Sequence, residues 1–127
     1  MASFGGFVYM LLNPQTDRLY IGVTSNLLTR MQQHLHGKIP GYALRHSCRT
    51  LVFYECFPTI VEAIAREKQL KRWSRQKKNS LIKLVNPSSI NLISDEGSHD
   101  ILPVVEDLPK DLDTRFLMDP VFWVKEN

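Results

Sequence analysis

The stretch Phe7-Val8-Tyr9-Met10-Leu11-Leu12-Asn13-Pro14-Gln15-Thr16-Asp17-Arg18-Leu19-Tyr20-Ile21-Gly22-Val23-Thr24 decides the fold. Residues 7–13 are an unbroken apolar run with an aromatic and β-branched start, as expected of a strand covered on both faces. Residues 14–17 carry turn chemistry. Residues 18–24 alternate, with Leu19, Ile21 and Val23 on one face and Tyr20, Gly22 and Thr24 on the other. A hairpin looped at 14–17 pairs Asn13 with Arg18, Leu11 with Tyr20 and Tyr9 with Gly22. In that register Tyr9 and Tyr20 are diagonal neighbours on one face, roughly 7–8 Å apart at the backbone. Gly22 leaves space beside Tyr9. A slip of one residue would separate the two tyrosines.

Downstream of the hairpin, Ser25 or Asn26 caps a helix expected from Leu27 to His36, with Leu27, Leu28, Met31 and Leu35 on its apolar side. Arg30 and His34, four residues apart, project together at the edge of that side. Gly37 is a stop signal, and residues 37–49 read as a basic loop. Leu51 to Phe57 read as a third strand. Thr59 and Glu62 have capping-box spacing, and they open a helix whose apolar stripe runs Ile60, Ala63, Ile64 and Leu70. Glu67 falls within that stripe, where a carboxylate must snorkel, pair with a cation or bind a metal. Residues 77–85 form a further helix with Leu81, Ile82 and Val85 inward, ended by Asn86-Pro87-Ser88-Ser89. The fold class is therefore α+β: a three-stranded, mainly antiparallel sheet flanked by helices in the order ββαβαα, followed by a C-terminal arm.

Charge divides the chain at the same place as composition. Residues 1–94 hold 13 Lys/Arg and 4 Asp/Glu, a balance of +9, whereas residues 95–127 hold 3 Lys/Arg and 9 Asp/Glu, a balance of −6. The basic body, residues 1–94, suits a polyanionic partner, because each phosphate it neutralises releases counterions. The acidic arm, residues 95–127, keeps bulky apolar groups such as Val104-Val105, Phe116-Leu117-Met118 and Val121-Phe122-Trp123-Val124. It reads as a linker with short docking motifs, able to contact the body of its own chain or another subunit. Cys48 and Cys56 are read as reduced packing residues. The first residues lack a basic region followed by a long apolar run, and no stretch approaches the roughly 20 apolar residues of a bilayer span. A cytoplasmic protein without membrane contact is expected.

Taken singly, the chemistry-bearing residues have ordinary explanations: strand tyrosines pack, helix arginines are solvated, and a carboxylate in an apolar stripe forms a salt bridge. Their order along the chain resembles the GIY-YIG nuclease superfamily. The two tyrosine motifs stand here as Phe7-Val8-Tyr9 and Tyr20-Ile21-Gly22, with the tyrosines 11 residues apart. Arg30 follows Tyr20 by ten residues, and His34 stands where family members often carry histidine. The family's metal-binding glutamate corresponds to Glu67 within Ala63-Ile64-Ala65-Arg66-Glu67-Lys68-Gln69-Leu70-Lys71-Arg72-Trp73. Phe7 replaces the glycine of the first motif. The terminal asparagine is matched by Asn86 and also by Asn91. The resemblance spans roughly residues 6–93 and is closest to small stand-alone bacterial members.

The resemblance implies an endonuclease that hydrolyses phosphodiester bonds in DNA, more than in RNA, with one Mg²⁺ or Mn²⁺ held by Glu67. It implies Tyr9 as general base towards water, aided by Tyr20, and Arg30 as the stabiliser of transition-state charge. His34 tunes Tyr9 or shuttles a proton, and Asn86 or Asn91 positions the site or a phosphate. Because an ordinary phenol titrates near ~10, Tyr9 needs help from nearby positive charge to act as a base. Gly22, Lys68, Lys71, Arg72, Arg75 and Asn91 are expected to meet the substrate, and the basic residues from Arg66 to Lys83 to touch its backbone. No base-reading helix stands out, so substrate choice is expected to follow nucleic-acid structure or to come from a partner, in a setting such as DNA repair, recombination or defence. Two rivals remain: a catalytically silent nucleic-acid-binding module, and a protein-interaction domain built around the acidic arm.

Overall fold

A computed structural model describes residues 4–93 and Ile101. Strands β1 (Gly6–Asn13), β2 (Arg18–Thr24) and β3 (Thr50–Phe57) form an antiparallel sheet in the order β2-β1-β3. The hairpin register is the expected one: Asn13 pairs with Arg18, Leu11 with Tyr20 and Tyr9 with Gly22. Because β1 is central, both of its faces are covered, which explains its continuous apolar run. Val8 and Met10 enter one core with Ile21, Val52, Phe53, Ala63, Leu70 and Leu81. Tyr9 and Leu11 enter the other with Leu27, Met31, Ala43, Cys48, Leu51 and Leu92. A register shift between Met10 and Leu11 marks a bulge against β3, which lets Val52 and Phe53 both join the first core.

Helix α1 (Leu27–Leu35) is capped by Asn26, whose side chain accepts from the Thr29 amide. It stops at Gly37, which adopts a φ of 66°. Its buried face is Leu27, Met31 and His34, whereas Leu28 is 37% exposed. The expected apolar side is thus rotated: the i, i+4, i+7 row turns His34 inward in place of Leu28. The basic loop contains a one-turn helix, α2 (Tyr42–Arg45), which the sequence reading left out. Ala43 anchors it on the second core.

Helix α3 (Ile60–Lys71) starts with the expected capping box, Thr59 and Glu62 each bonding the other's backbone amide. Its buried row is Ala63, Arg66 and Leu70, while Ile60 and Ile64 are over a third exposed. The stripe read from hydropathy was displaced because Arg66 turns inward to Glu55 of β3, with its Nε 3.1 Å from Oε1, and lies over the Trp73 ring. Arg66 is therefore a core ion pair and not a surface contact for a nucleic acid. Gly6 lets α3 sit directly on β1, since a Cβ there would lie 2.7 Å from the Ala63 Cβ. Ser74 caps α4 (Arg75–Val85), which starts two residues earlier than expected and buries Leu81, Ile82 and Val85 as expected. Both cysteines are free, with Cys48 buried. No helix among the described residues is long and apolar enough to cross a membrane. The apolar segments singled out in residues 104–124 lie outside the described residues. Ile101 bridges to Ile93 and packs on the second core.

Candidate active site

The hairpin brings Tyr9, Tyr20 and Gly22 together, and α1 closes His34 over them. The Tyr9 hydroxyl lies 2.8 Å from His34 Nε2. The three rings form one cluster, with centroids 6.1 Å apart for Tyr9 and Tyr20, 5.5 Å for Tyr9 and His34, and 5.7 Å for Tyr20 and His34. Gly22 is a steric requirement here: a Cβ would lie 2.4 Å from the Tyr9 hydroxyl and 2.9 Å from the Tyr20 ring.

Electrostatics divides the roles within the cluster. Tyr9 is fully buried, and this burial drives its hydroxyl well above the ordinary phenol range. Tyr20 adds to the rise, and Arg30 opposes it without winning. The help from positive charge that a tyrosine base needs is present, but desolvation outweighs it. His34 is pushed down to about 4, first by burial and then by Arg30, so its imidazole is neutral at pH 7. With the imidazole neutral, the Tyr9 hydroxyl donates to Nε2 in the tautomer that carries its proton on Nδ1. The tyrosine left half-exposed is Tyr20.

The other expected residues are distributed around this cluster. Glu67 is on α3, with a side chain only 14% exposed and its Oε1 3.4 Å from Lys71 Nζ. Lys71 in turn lines a surface hollow with Leu19, Tyr20, Ile21, Tyr42 and Lys78, which links the carboxylate's partner to the exposed tyrosine. Lys68 and Arg72 line a different hollow with Ala65, Gln69, Trp73, Ser74 and Lys77. Arg75 clamps the hairpin turn onto α4: its guanidinium bonds the Asp17 carboxylate and carbonyl, each at 2.8 Å, and Asn79 at 2.9 Å. Three of its five N–H donors are occupied by protein groups.

Neither asparagine reaches the ring cluster. Asn86 is buried and spends its amide on the backbone, donating to the Val52 and Ile90 carbonyls and accepting from the Ile90 amide. Asn91 accepts from the Leu51 and Ile93 amides. Both hold the chain after α4 against β3. Sequence reasoning missed Tyr42 beside Tyr20, for which an aromatic residue inside a basic loop was the available signal; Lys78, expected only as one of the basic residues from Arg66 to Lys83, lines the same hollow.

The GIY-YIG catalytic domain model matches residues 5–80, which holds the whole cluster and Glu67. This chain belongs to the GIY-YIG nuclease family. A UPF0213 protein of Bacillus pumilus is 37% identical over 74 residues, covering 58% of this chain and 76% of that protein. One of Pediococcus pentosaceus is 30% identical over 87 residues, covering 68% and 92%. The solution structure of a UPF0213 protein from Bacillus halodurans, 28% identical, covers 73% of this chain and 98% of that one at a TM-score of 0.44. The acidic residues 95–127 lie beyond the stretch that the GIY-YIG model matches.

Proposed function

We propose that this GIY-YIG protein is a metal-dependent endonuclease that hydrolyses phosphodiester bonds in DNA and selects its substrate by structure. The observation that carries the reading is the ring cluster on the family's own residues. A buried tyrosine bonded to a neutral histidine stands behind a half-exposed tyrosine, with an arginine acting on the same hydroxyl.

The donor set fits one hard divalent cation. Among the described residues no group of three or more His, Cys, Asp or Glu gathers. The mostly buried Glu67 stands as a lone carboxylate, suited to an ion that keeps several waters and shares the substrate's phosphate oxygens. Mg²⁺ or Mn²⁺ bound there would supply charge stabilisation to the phosphodiester and its leaving oxygen. The protein's own residues do the rest. Tyr20, the accessible tyrosine, meets the attacking water, and Tyr9 receives the proton passed inward while giving its own to His34 Nε2. This reverses the roles expected from sequence, because a fully buried Tyr9 cannot meet bulk water directly. The approaching phosphate, being negative, offsets the cost of a charged His34. Arg30 is half-buried and faces the charge that develops on the phosphoryl oxygens. The new bond joins the water oxygen to phosphorus, the ester P–O bond breaks, and the departing alkoxide takes its proton from solvent.

The test is cleavage of labelled single-stranded, duplex, flap and branched DNA with Mg²⁺ or Mn²⁺, using wild type and Glu67→Ala. Cutting is expected only with the metal, at least ~100-fold reduced in the variant. Tight, salt-sensitive binding by wild type without cutting would replace this reading with that of a binding module.

A further inference from the structure

We infer that the hollow beside Tyr20, between Tyr42, Lys71 and Lys78, seats the nucleotide next to the scissile phosphate, with Lys78 holding a backbone phosphate and Tyr42 stacking on its base. The inference deepens the nuclease reading and rests on it.

Four separate elements converge on this place. The edge strand β2 supplies Leu19, Tyr20 and Ile21, α2 supplies Tyr42, and α3 and α4 supply Lys71 and Lys78. Tyr20 is the member of the ring cluster that reaches the surface, so whatever fills the hollow touches the reacting centre. Lys71 is the ion-pair partner of Glu67, so the hollow also borders the proposed metal ligand.

Lys78 is the residue hardest to explain without an anion. It is half-buried, and among the described residues no carboxylate lies within salt-bridge distance of it. Burial and the neighbouring Arg75 guanidinium both lower its pKa, which means that the charged form is held at a cost. Like charges set side by side are disfavoured, and an anion bound at Lys78 offsets that cost. Arg75 holds the Asp17 carboxylate and is not among the residues that line the hollow.

Tyr42 completes the site. His46 packs against its ring with centroids 4.3 Å apart and holds it at the rim of the hollow. An aromatic ring with lysines at its border is the pattern that seats single-stranded nucleic acid: the ring stacks on a base and the cations track the backbone. Both rival anionic occupants, a free phosphate and an acidic peptide, would use the lysines and leave the ring idle. A nucleotide uses both.

The experiment measures anisotropy of labelled single-stranded and flap DNA on the full chain in EDTA, across a salt series, with steady-state cleavage alongside. The proteins are wild type, Lys78→Gln, Tyr42→Ala, Tyr42→Phe and, as an equal loss of charge elsewhere, Lys38→Gln. Thermal melts check that each is folded. Lys78→Gln is expected to weaken binding about 5- to 20-fold and to reduce the salt slope by ~0.7–1, the share of one phosphate contact. Tyr42→Ala should lose ~5- to 30-fold in affinity, Tyr42→Phe almost nothing, and the loss should fall on KM more than on kcat. Lys38→Gln should match wild type. Wild-type affinity and slope in Lys78→Gln overturn the inference while leaving the nuclease reading intact. A wild type that binds no DNA removes both.

Discussion

At the scale of single residues, the site depends on one missing side chain and one misplaced proton. Gly22 sits opposite Tyr9 in the hairpin, and a methyl group there would collide with a ring that has no room to retreat. Gly22→Ala is expected to cost about 1–3 kcal/mol in a urea melt, as overpacking does. It should also displace Tyr9 from His34 and lower cleavage more than the stability loss explains. His34 gives a pH signature of opposite sign to a salt-bridged histidine. Its folded pKa of about 4 lies below the ordinary 6.5, so between those values the unfolded chain binds a proton that the folded chain does not. Its contribution is intact above pH 6.5 and drains away as pH falls towards 4, by up to roughly 3 kcal/mol. The difference in unfolding free energy between wild type and His34→Gln, followed from pH 7.5 to 4.5, should shrink by that order. An NMR titration of the His34 imidazole showing a midpoint near 6.5 would contradict the buried, neutral assignment.

Elements are held in place by polar groups that a sequence reading treats as candidates for chemistry. Asn86 ends α4 and ties the following chain to β3 through three backbone hydrogen bonds. Removing them leaves buried carbonyls unpaired, so Asn86→Ala should destabilise the protein by about 2–4 kcal/mol. Because its role is support, kcat of the folded fraction at low temperature should stay within a few-fold of wild type. A stable variant with abolished kcat would return Asn86 to the reacting centre. The Glu55–Arg66 pair shows the same lesson on α3: a charge in the periodic pattern of that helix shifted the buried row by enough to expose Ile60 and Ile64.

Across the whole molecule, charge is divided, with +9 on residues 1–94 and −6 on the tail, residues 95–127. We propose that the tail competes with DNA for the basic face. A chain ending at Leu102 keeps Ile101, which packs on the second core, and still removes 6 Asp/Glu against 3 Lys/Arg. It is expected to bind DNA severalfold more tightly at low salt, the gain fading as screening rises. Equal or weaker binding would end that idea. The sequence alone determined the hairpin, its register and the facing tyrosines, because strand alternation and turn chemistry are local and admit one in-register pairing. It also determined the capping box that opens α3, the existence of α4 and, through motif spacing, the family. Only the tertiary structure decided which way each helix turns its face, because a buried ion pair or a histidine can outcompete an apolar side chain for the interior. It likewise decided that Tyr9 is fully buried beside a half-exposed Tyr20, that Arg75 and both asparagines bond other parts of the chain, and that Tyr42 and Lys78 line one hollow with Tyr20. Those outcomes depend on what residues far apart in the chain offer one another, on how much water each loses, and on which donors are already spent.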